Sequence, residues 1–223
     1  MTTNTVNGAS DRTASTPIVV RALRLAFAIY GITALLWIPI RNADGFSLTN
    51  YLSYFTIESN ILAVIVLLVG AVRDPQSRTW QSIRGAVTLY MVITGIVYAV
   101  LLANVDVMLK DAWINAALHR ILPLVLLLDW VFLASRHKLS EVEALKWLAF
   151  PAAYGIYTLI RGPIVDWYPY PFLDPRQQGY LSLVIGMVVL AVAMALMALA
   201  VNAVGRLGTK WRYRDDETVL AAH

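Results

Sequence analysis

The chain has 223 residues, 59% of them hydrophobic and 14% charged, with a mean hydropathy of +0.63 and a formal net charge of +4. Ordinary soluble domains are roughly 45–50% apolar, so this composition excludes a soluble globular enzyme. The absence of cysteine excludes disulfides, thiolate nucleophiles and cysteine-held zinc or iron–sulfur sites, and in so apolar a chain the basic excess reads as membrane topology rather than nucleic-acid binding.

A spanning helix needs about 20 mostly apolar residues. Six stretches qualify, at about 19–40, 51–72, 84–103, 113–135, 144–160 and 178–203, and they predict an all-α, polytopic membrane protein, a bundle of six transmembrane helices over 17–205. The first stretch follows Arg21 and Arg24 as a signal peptide follows its basic region. It is too long for one, lacks a small-residue cleavage site and precedes five more spans, so it reads as a retained helix. The tails, 1–16 and 206–223, are polar enough to be disordered, the second basic and then acidic.

Six spans put both tails and the loops near Asp74 and His137 on one side. Thirteen of the 18 basic residues fall there, against Arg41, Lys110, Arg161 and Arg176 on the other side and Arg120 inside the fourth span. The positive-inside rule then places both termini in the cytoplasm, in a bacterial plasma (inner) membrane. The outer loop RGPIVDWYPYPFLDP, residues 161–175, reads either as an interfacial aromatic belt or as a lid or lateral gate over a lipid-facing site.

Polar side chains in hydrocarbon cost roughly 2.5–3.5 kcal/mol each, so their positions are informative. Thr56, Glu58, Ser59 and Asn60 in span two, Thr94 and Tyr98 in span three, Asn115, His119 and Arg120 in span four, and Tyr154, Tyr157 and Arg161 in span five all fall in the outer half. Residues three or four apart share a helix face. Thr56 therefore aligns with Ser59 and Asn60, Asn115 with His119, Tyr90 with Thr94 and Tyr98, and Tyr154 with Tyr157 and Arg161, giving four polar stripes expected to face a shared cavity. For Ser59, Tyr90 and Thr94 interhelical hydrogen bonds, each on the order of 1 kcal/mol, are the preferred reading.

A histidine beside a threonine at matching depth can act as general base and turn a weak hydroxyl into a nucleophile, which selects His119 and Thr56. Asn60 or Arg120 is the expected oxyanion stabiliser. Asn115 is the preferred group to orient the imidazole, because the helical period turns Glu58 away from Thr56 and Asn60 and toward a role beside Arg120. Tyr98, Tyr154 and Tyr157 are expected to line the pocket, with Arg161 holding a lipid carboxylate or phosphate. Asp129 falls in the inner half, where Ser82 or Arg84 would satisfy it.

Several chemistries are excluded. The lysines, Lys110, Lys138, Lys146 and Lys210, lie at span ends or in loops, so no retinal Schiff base is available. His119 alone lies within a span, which rules out bis-histidine haem and disfavours a histidine zinc site. No GxSxG, HExxH or phosphate-cradling glycine loop occurs, and neither metal nor cofactor is expected.

The segments YFTIESNIL from Tyr54, LHRILPLVLLLDW from Leu118 and YTLIRGPIVDWYPYPFLD from Tyr157 resemble a bacterial family of uncharacterised six-span integral membrane proteins over most of the chain from span two to span six. More distantly, the threonine after an aromatic pair and the histidine followed by a proline resemble the eukaryotic androgen-induced-gene and androgen-dependent regulator family. Members of that family are multi-pass threonine hydrolases of fatty-acid esters of hydroxy fatty acids, and the resemblance implies a nucleophile at Thr56 and a base at His119. Arg120 and the YPYPFLD loop depart from the eukaryotic pattern. The leading expectation is thus a membrane lipid or acyl-ester hydrolase acting on membrane lipids or a lipid-like ester. The alternatives are a non-catalytic lipid- or small-solute-binding or transport protein using the same cavity, or a structural subunit. The oligomeric state stays open.

Overall fold

In a computed structural model the described residues are 16–102, 111–133 and 137–212. In chain order they form α1 (Ile18–Arg41), α2 (Leu48–Tyr51), α3 (Phe55–Val72), α4 (Arg78–Val97), α5 (Ala112–Ala116), α6 (Leu122–Phe132), α7 (Glu141–Lys146), α8 (Ala149–Val165) and α9 (Pro175–Arg212). A π-helical turn, Tyr98–Leu102, continues α4, and a second, Ala117–Ile121, joins α5 to α6. A 3₁₀ turn, Pro171–Leu173, precedes α9. Among the described residues six helical stretches are long and apolar enough to cross a membrane: Ile18–Arg41, Phe55–Val72, Arg78–Leu102, Ala112–Phe132, Glu141–Val165 and Tyr180–Lys210. The chain is a multi-pass, all-α membrane protein.

Local chemistry sets several of these ends. Ser77 accepts the Trp80 amide at the start of α4, and Ser140 with Glu143 forms a reciprocal capping box on α7. That box starts the fifth span at Glu141, ahead of the apolar onset at 144 read from the sequence. α9 is interrupted at Gly179, whose φ of 80° is open to glycine without strain. It then runs to Arg212, past the expected boundary at 205. Residues 1–15 and 213–223 of the two expected tails, with Lys110 and Arg136, lie outside the described residues.

α3 is the most enclosed span and α9 the least, so α9 presents Val184, Val188, Val192 and Leu196 outward. Trp130 of α6 fills the bundle centre near the end that carries Thr16 and Lys210, hereafter the terminal end. Its ring lies where a side chain at Gly85 of α4 or Gly205 of α9 would begin, and its Nε1 donates to Val201 O at 2.7 Å. Small residues admit such close approach between membrane helices.

At the same end Asp129 accepts from Arg24 Nε at 2.7 Å and from Arg84 Nη2 at 2.7 Å. Arg24 also reaches Asp74 at 3.3 Å, and Thr16 holds Asp74 through both its amide and its hydroxyl. Arg84 thus satisfies Asp129 as expected, with Arg24 as an additional partner. Ser82 does not contribute, because it accepts from Trp147 Nε1 instead. Two arginines and two aspartates bind α1, α4, α6 and the loop after α3 into one unit at the end opposite Thr56, whose end is hereafter the far end.

Candidate functional site

Thr56 occupies the first turn of α3, where amides have no acceptor one turn back. The amides of Ile57 and Glu58 bond to Tyr54 O, while the Thr56 N–H donates to the Tyr170 hydroxyl at 3.2 Å. The Thr56 hydroxyl lies 3.3 Å from His119 Nε2 and 3.3 Å from the Tyr170 hydroxyl. All three side chains are buried.

The chain presents His119 through the π turn Ala117–Ile121. Residue 123 is proline, so the His119 carbonyl has no N–H four residues ahead, and the ring crowds that carbonyl. The backbone widens there, as inserted π turns do, and the same happens across the site at Tyr98, whose ring stacks on the imidazole at 4.1 Å between centroids.

The tautomer of His119 follows from its partners. Nδ1 faces two Asn115 oxygens, Oδ1 at 2.7 Å and the main-chain carbonyl at 3.3 Å. A carbonyl only accepts, so Nδ1 carries the proton and Nε2 turns a lone pair toward Thr56. Asn115 is itself oriented, because its Nδ2 donates to the Tyr98 hydroxyl at 2.5 Å. Thr56, His119, Asn115 and Tyr98 therefore form one connected chain of contacts.

Other expected site residues are placed differently. Asn60 spends its amide protons on Thr56 O at 2.8 Å and Leu118 O at 3.2 Å, so it braces the backbone behind the threonine and has no N–H left for an oxyanion. Arg120 is exposed on the outside of the bundle and lines neither cavity described below. Glu58 is half-buried and makes no ion pair with Arg120. Arg161 donates to Asn50 Oδ1 at 2.6 Å and covers the Trp167 ring, so it fastens the far-end loops together. Tyr157 shares a hydrogen bond with Ser53 at 2.7 Å and lines neither cavity, whereas Tyr154 donates to Ser53 O at 2.9 Å, which docks α8 on the segment before α3, and also walls the apolar cavity. Tyr90 acts as bundle glue through Trp147 O at 2.9 Å, whereas the Ser59 and Thr94 hydroxyls have no partner.

Two cavities meet at Thr56. One, of about 330 Å³, lies among α3, α4, α8 and α9 and is walled by Phe55, Ile93, Tyr154, Met187 and other apolar groups. The second, of about 590 Å³, opens among the far-end loops and is lined by Asn42, Asp44, Ser47, Asn50, Tyr51 and His119 among others. Thr56, Leu102 and Tyr170 line both.

Tyr170 is the site residue that sequence reasoning missed. The helical period cannot align a loop residue with a helix, and YPYPF carries the composition of an interfacial belt. Burial pushes its hydroxyl up to about 12, so it stays protonated at neutral pH. Because its oxygen accepts the Thr56 amide, its proton is directed elsewhere. Among the described residues no cluster of three histidine, aspartate or glutamate side chains could hold a metal ion. No family model matches the chain, and no curated protein or solved structure is significantly similar to it.

Proposed function

We propose that the chain is a membrane-embedded lipid or acyl-ester hydrolase with Thr56 as nucleophile and His119 as general base. The observation that carries this reading is the Thr56 hydroxyl at 3.3 Å from an imidazole nitrogen whose opposite nitrogen is held as N–H by Asn115. A base oriented by a third group beside a hydroxyl is the arrangement that activates weak oxygen nucleophiles. The resemblance to the androgen-induced-gene and androgen-dependent regulator family, at the same threonine and histidine, is consistent with it.

In this mechanism Thr56 Oγ1 attacks the ester carbonyl carbon as His119 Nε2 takes its proton. Tyr170 donates to the developing oxyanion, the place assigned to Asn60 or Arg120 from the sequence, and the positive end of α3 adds to that field. Collapse breaks the carbon–oxygen bond to the alcohol, which leaves with the proton from His119. Water then attacks the acyl-threonine, His119 takes its proton and returns it to Thr56 Oγ1, and the carboxylic acid departs. Tyr98 and Asn115 hold the imidazole; neither touches the reacting carbon.

The concentration of basic residues at the terminal end supports termini in the cytoplasm of a bacterial inner membrane, with the site opening toward the outer face. The test is labelling of detergent-purified protein with a fluorophosphonate, mapped by mass spectrometry. Label on Thr56 that disappears in His119→Ala is the expected result. Folded protein that takes no label and turns over no ester overturns the hydrolase and leaves the same cavities to a lipid-binding role.

A further inference from the structure

We propose that the apolar cavity is the binding site for a single acyl chain, entered sideways from the bilayer between α8 and α9, and that the substrate is an amphiphilic long-chain monoester whose polar alcohol portion occupies the far-end cavity. This rests on the hydrolase reading for its chemistry but not for its binding site. Three observations carry it.

The first is the mouth. Ile156 of α8 lines the cavity and yet is 61% exposed, and Ala152 of α8 and Ala191 of α9 line it and are exposed as well. A residue that walls a cavity while facing outward marks an opening, and here the outward direction is the apolar flank of two spanning helices. In a bilayer that flank meets lipid tails, so a hydrocarbon chain enters without crossing water.

The second is the position of the nucleophile. Thr56 and Tyr170 line both cavities, so a molecule whose ester lies at Thr56 extends into an almost wholly apolar space on one side and a mixed, more polar one on the other. Each end of an amphiphile then meets the environment it prefers. The apolar cavity, about 330 Å³, stands at the lower end of the roughly 300–1,000 Å³ of small-molecule pockets, which suits one chain rather than two.

The third is an unpaired hydroxyl. The other hydroxyl-bearing residues of this wall are engaged: Tyr154 with Ser53 O, Tyr98 with Asn115, and Tyr170 with Thr56. Thr94 is 3% exposed, lines the cavity and has no hydrogen-bond partner. A buried hydroxyl without a partner is unfavourable, and the carbonyl of a bound ester would relieve it.

Two measurements test the site independently of each other. In the first, hydrolysis of butyryl and palmitoyl esters of one alcohol is compared in the wild type, Ala191→Trp and Gly155→Leu, with Val188→Trp on the outward face of α9 as control. A long-to-short ratio that falls at least tenfold in either cavity variant and stays at the wild-type value in Val188→Trp is the expected result; unchanged ratios in both cavity variants overturn the chain site. In the second, a palmitate methyl ester carrying a diazirine at its chain terminus is photolysed with wild-type protein in detergent. Cross-links on the cavity-lining residues Gly155, Leu159, Met187, Leu190 and Met194 that excess unlabelled ester suppresses are expected, and labelling confined to the outward residues Val184, Val188 and Val192 overturns the proposal. Cavity labelling in a protein that cleaves no ester would support the chain site while removing the catalytic reading. Ester cleavage with no chain-length preference and outward labelling would do the reverse.

Discussion

The Tyr170 hydroxyl accepts the amide proton of Thr56 at 3.2 Å across 114 residues of chain. A phenol that accepts one proton still has its own to donate, and the Thr56 hydroxyl oxygen lies 3.3 Å away. Tyr170→Phe keeps the ring that stacks on Phe172 and removes the hydroxyl alone, both this donor and the acceptor of the Thr56 amide. Its expected effect is a loss of kcat of about 10²–10³-fold with little change in KM, the size of a lost oxyanion-hole donor. A variant with undiminished kcat would assign Tyr170 to packing alone.

Asn115 holds the imidazole through Oδ1 and is held in turn by Tyr98. Asn115→Leu frees the ring and its tautomer, and kcat/KM is expected to fall at least about tenfold. Tyr98→Phe, which removes the group that orients Asn115 but keeps the stack on His119, should produce a smaller loss in the same direction. If Asn115→Leu turns over ester at the wild-type rate, the imidazole is positioned by the π turn and the Tyr98 ring without it.

The ion cluster at the terminal end is a stability element. Asp129 sits between two buried arginines, so Asp129→Ala leaves both guanidinium groups without their shared counter-ion. Breaking a buried ion pair from one side costs about 3–5 kcal/mol, and the variant is expected to unfold at a markedly lower temperature in detergent. Because the cluster lies at the end opposite Thr56, fluorophosphonate labelling of whatever protein stays folded should be unaffected. An unchanged Tm would show the cluster to be energetically neutral.

Asp74 gives the stability a pH dependence. Its burial would raise its pKa, but the amide and hydroxyl of Thr16, with Arg24 beside them, outweigh that and hold the carboxyl below its usual range. A depressed folded-state pKa means stabilisation that is complete above the unfolded value, about 3.9, and is lost as pH falls through the lower folded value. Asp74→Asn retains a residue tolerant of the left-handed backbone at this position, where φ is 44°. The variant is expected to melt below the wild type at pH 7 and to converge with it in acid. A gap between the two curves that stays constant down to pH 2 would remove Asp74 as the titrating group.

Gly205 faces the buried Trp130 ring, and a Cβ there would come within 2.6 Å of three of its atoms. Gly205→Ala is expected to destabilise by about 1–3 kcal/mol, read as a lower Tm, because the indole is pinned by its bond to Val201 and cannot withdraw. Gly186, with nothing near its Cβ direction, supplies the control: Gly186→Ala should leave Tm unchanged or raise it. Equal melting of the two variants would mean that α9 shifts to absorb the methyl group.

The sequence by itself determined the six spans, because a continuous apolar run has one stable arrangement in a bilayer, and it placed Thr56 and His119 at one depth, because helical rise converts residue number into distance. It also identified Asn115 as the partner of His119 and Arg84 as a partner of Asp129. What it did not contain was direction across the bundle. Asn60 shares a face with Thr56, yet its amide turns inward to backbone carbonyls; Arg120 adjoins His119, yet points out of the bundle. Tyr170 enters the site from a proline-bound loop that obeys no helical period. The apolar cavity is walled jointly by α3, α4, α8 and α9, and the other opens among the far-end loops beside α3. These are outcomes of packing among residues far apart in the chain, and only the tertiary structure decided them.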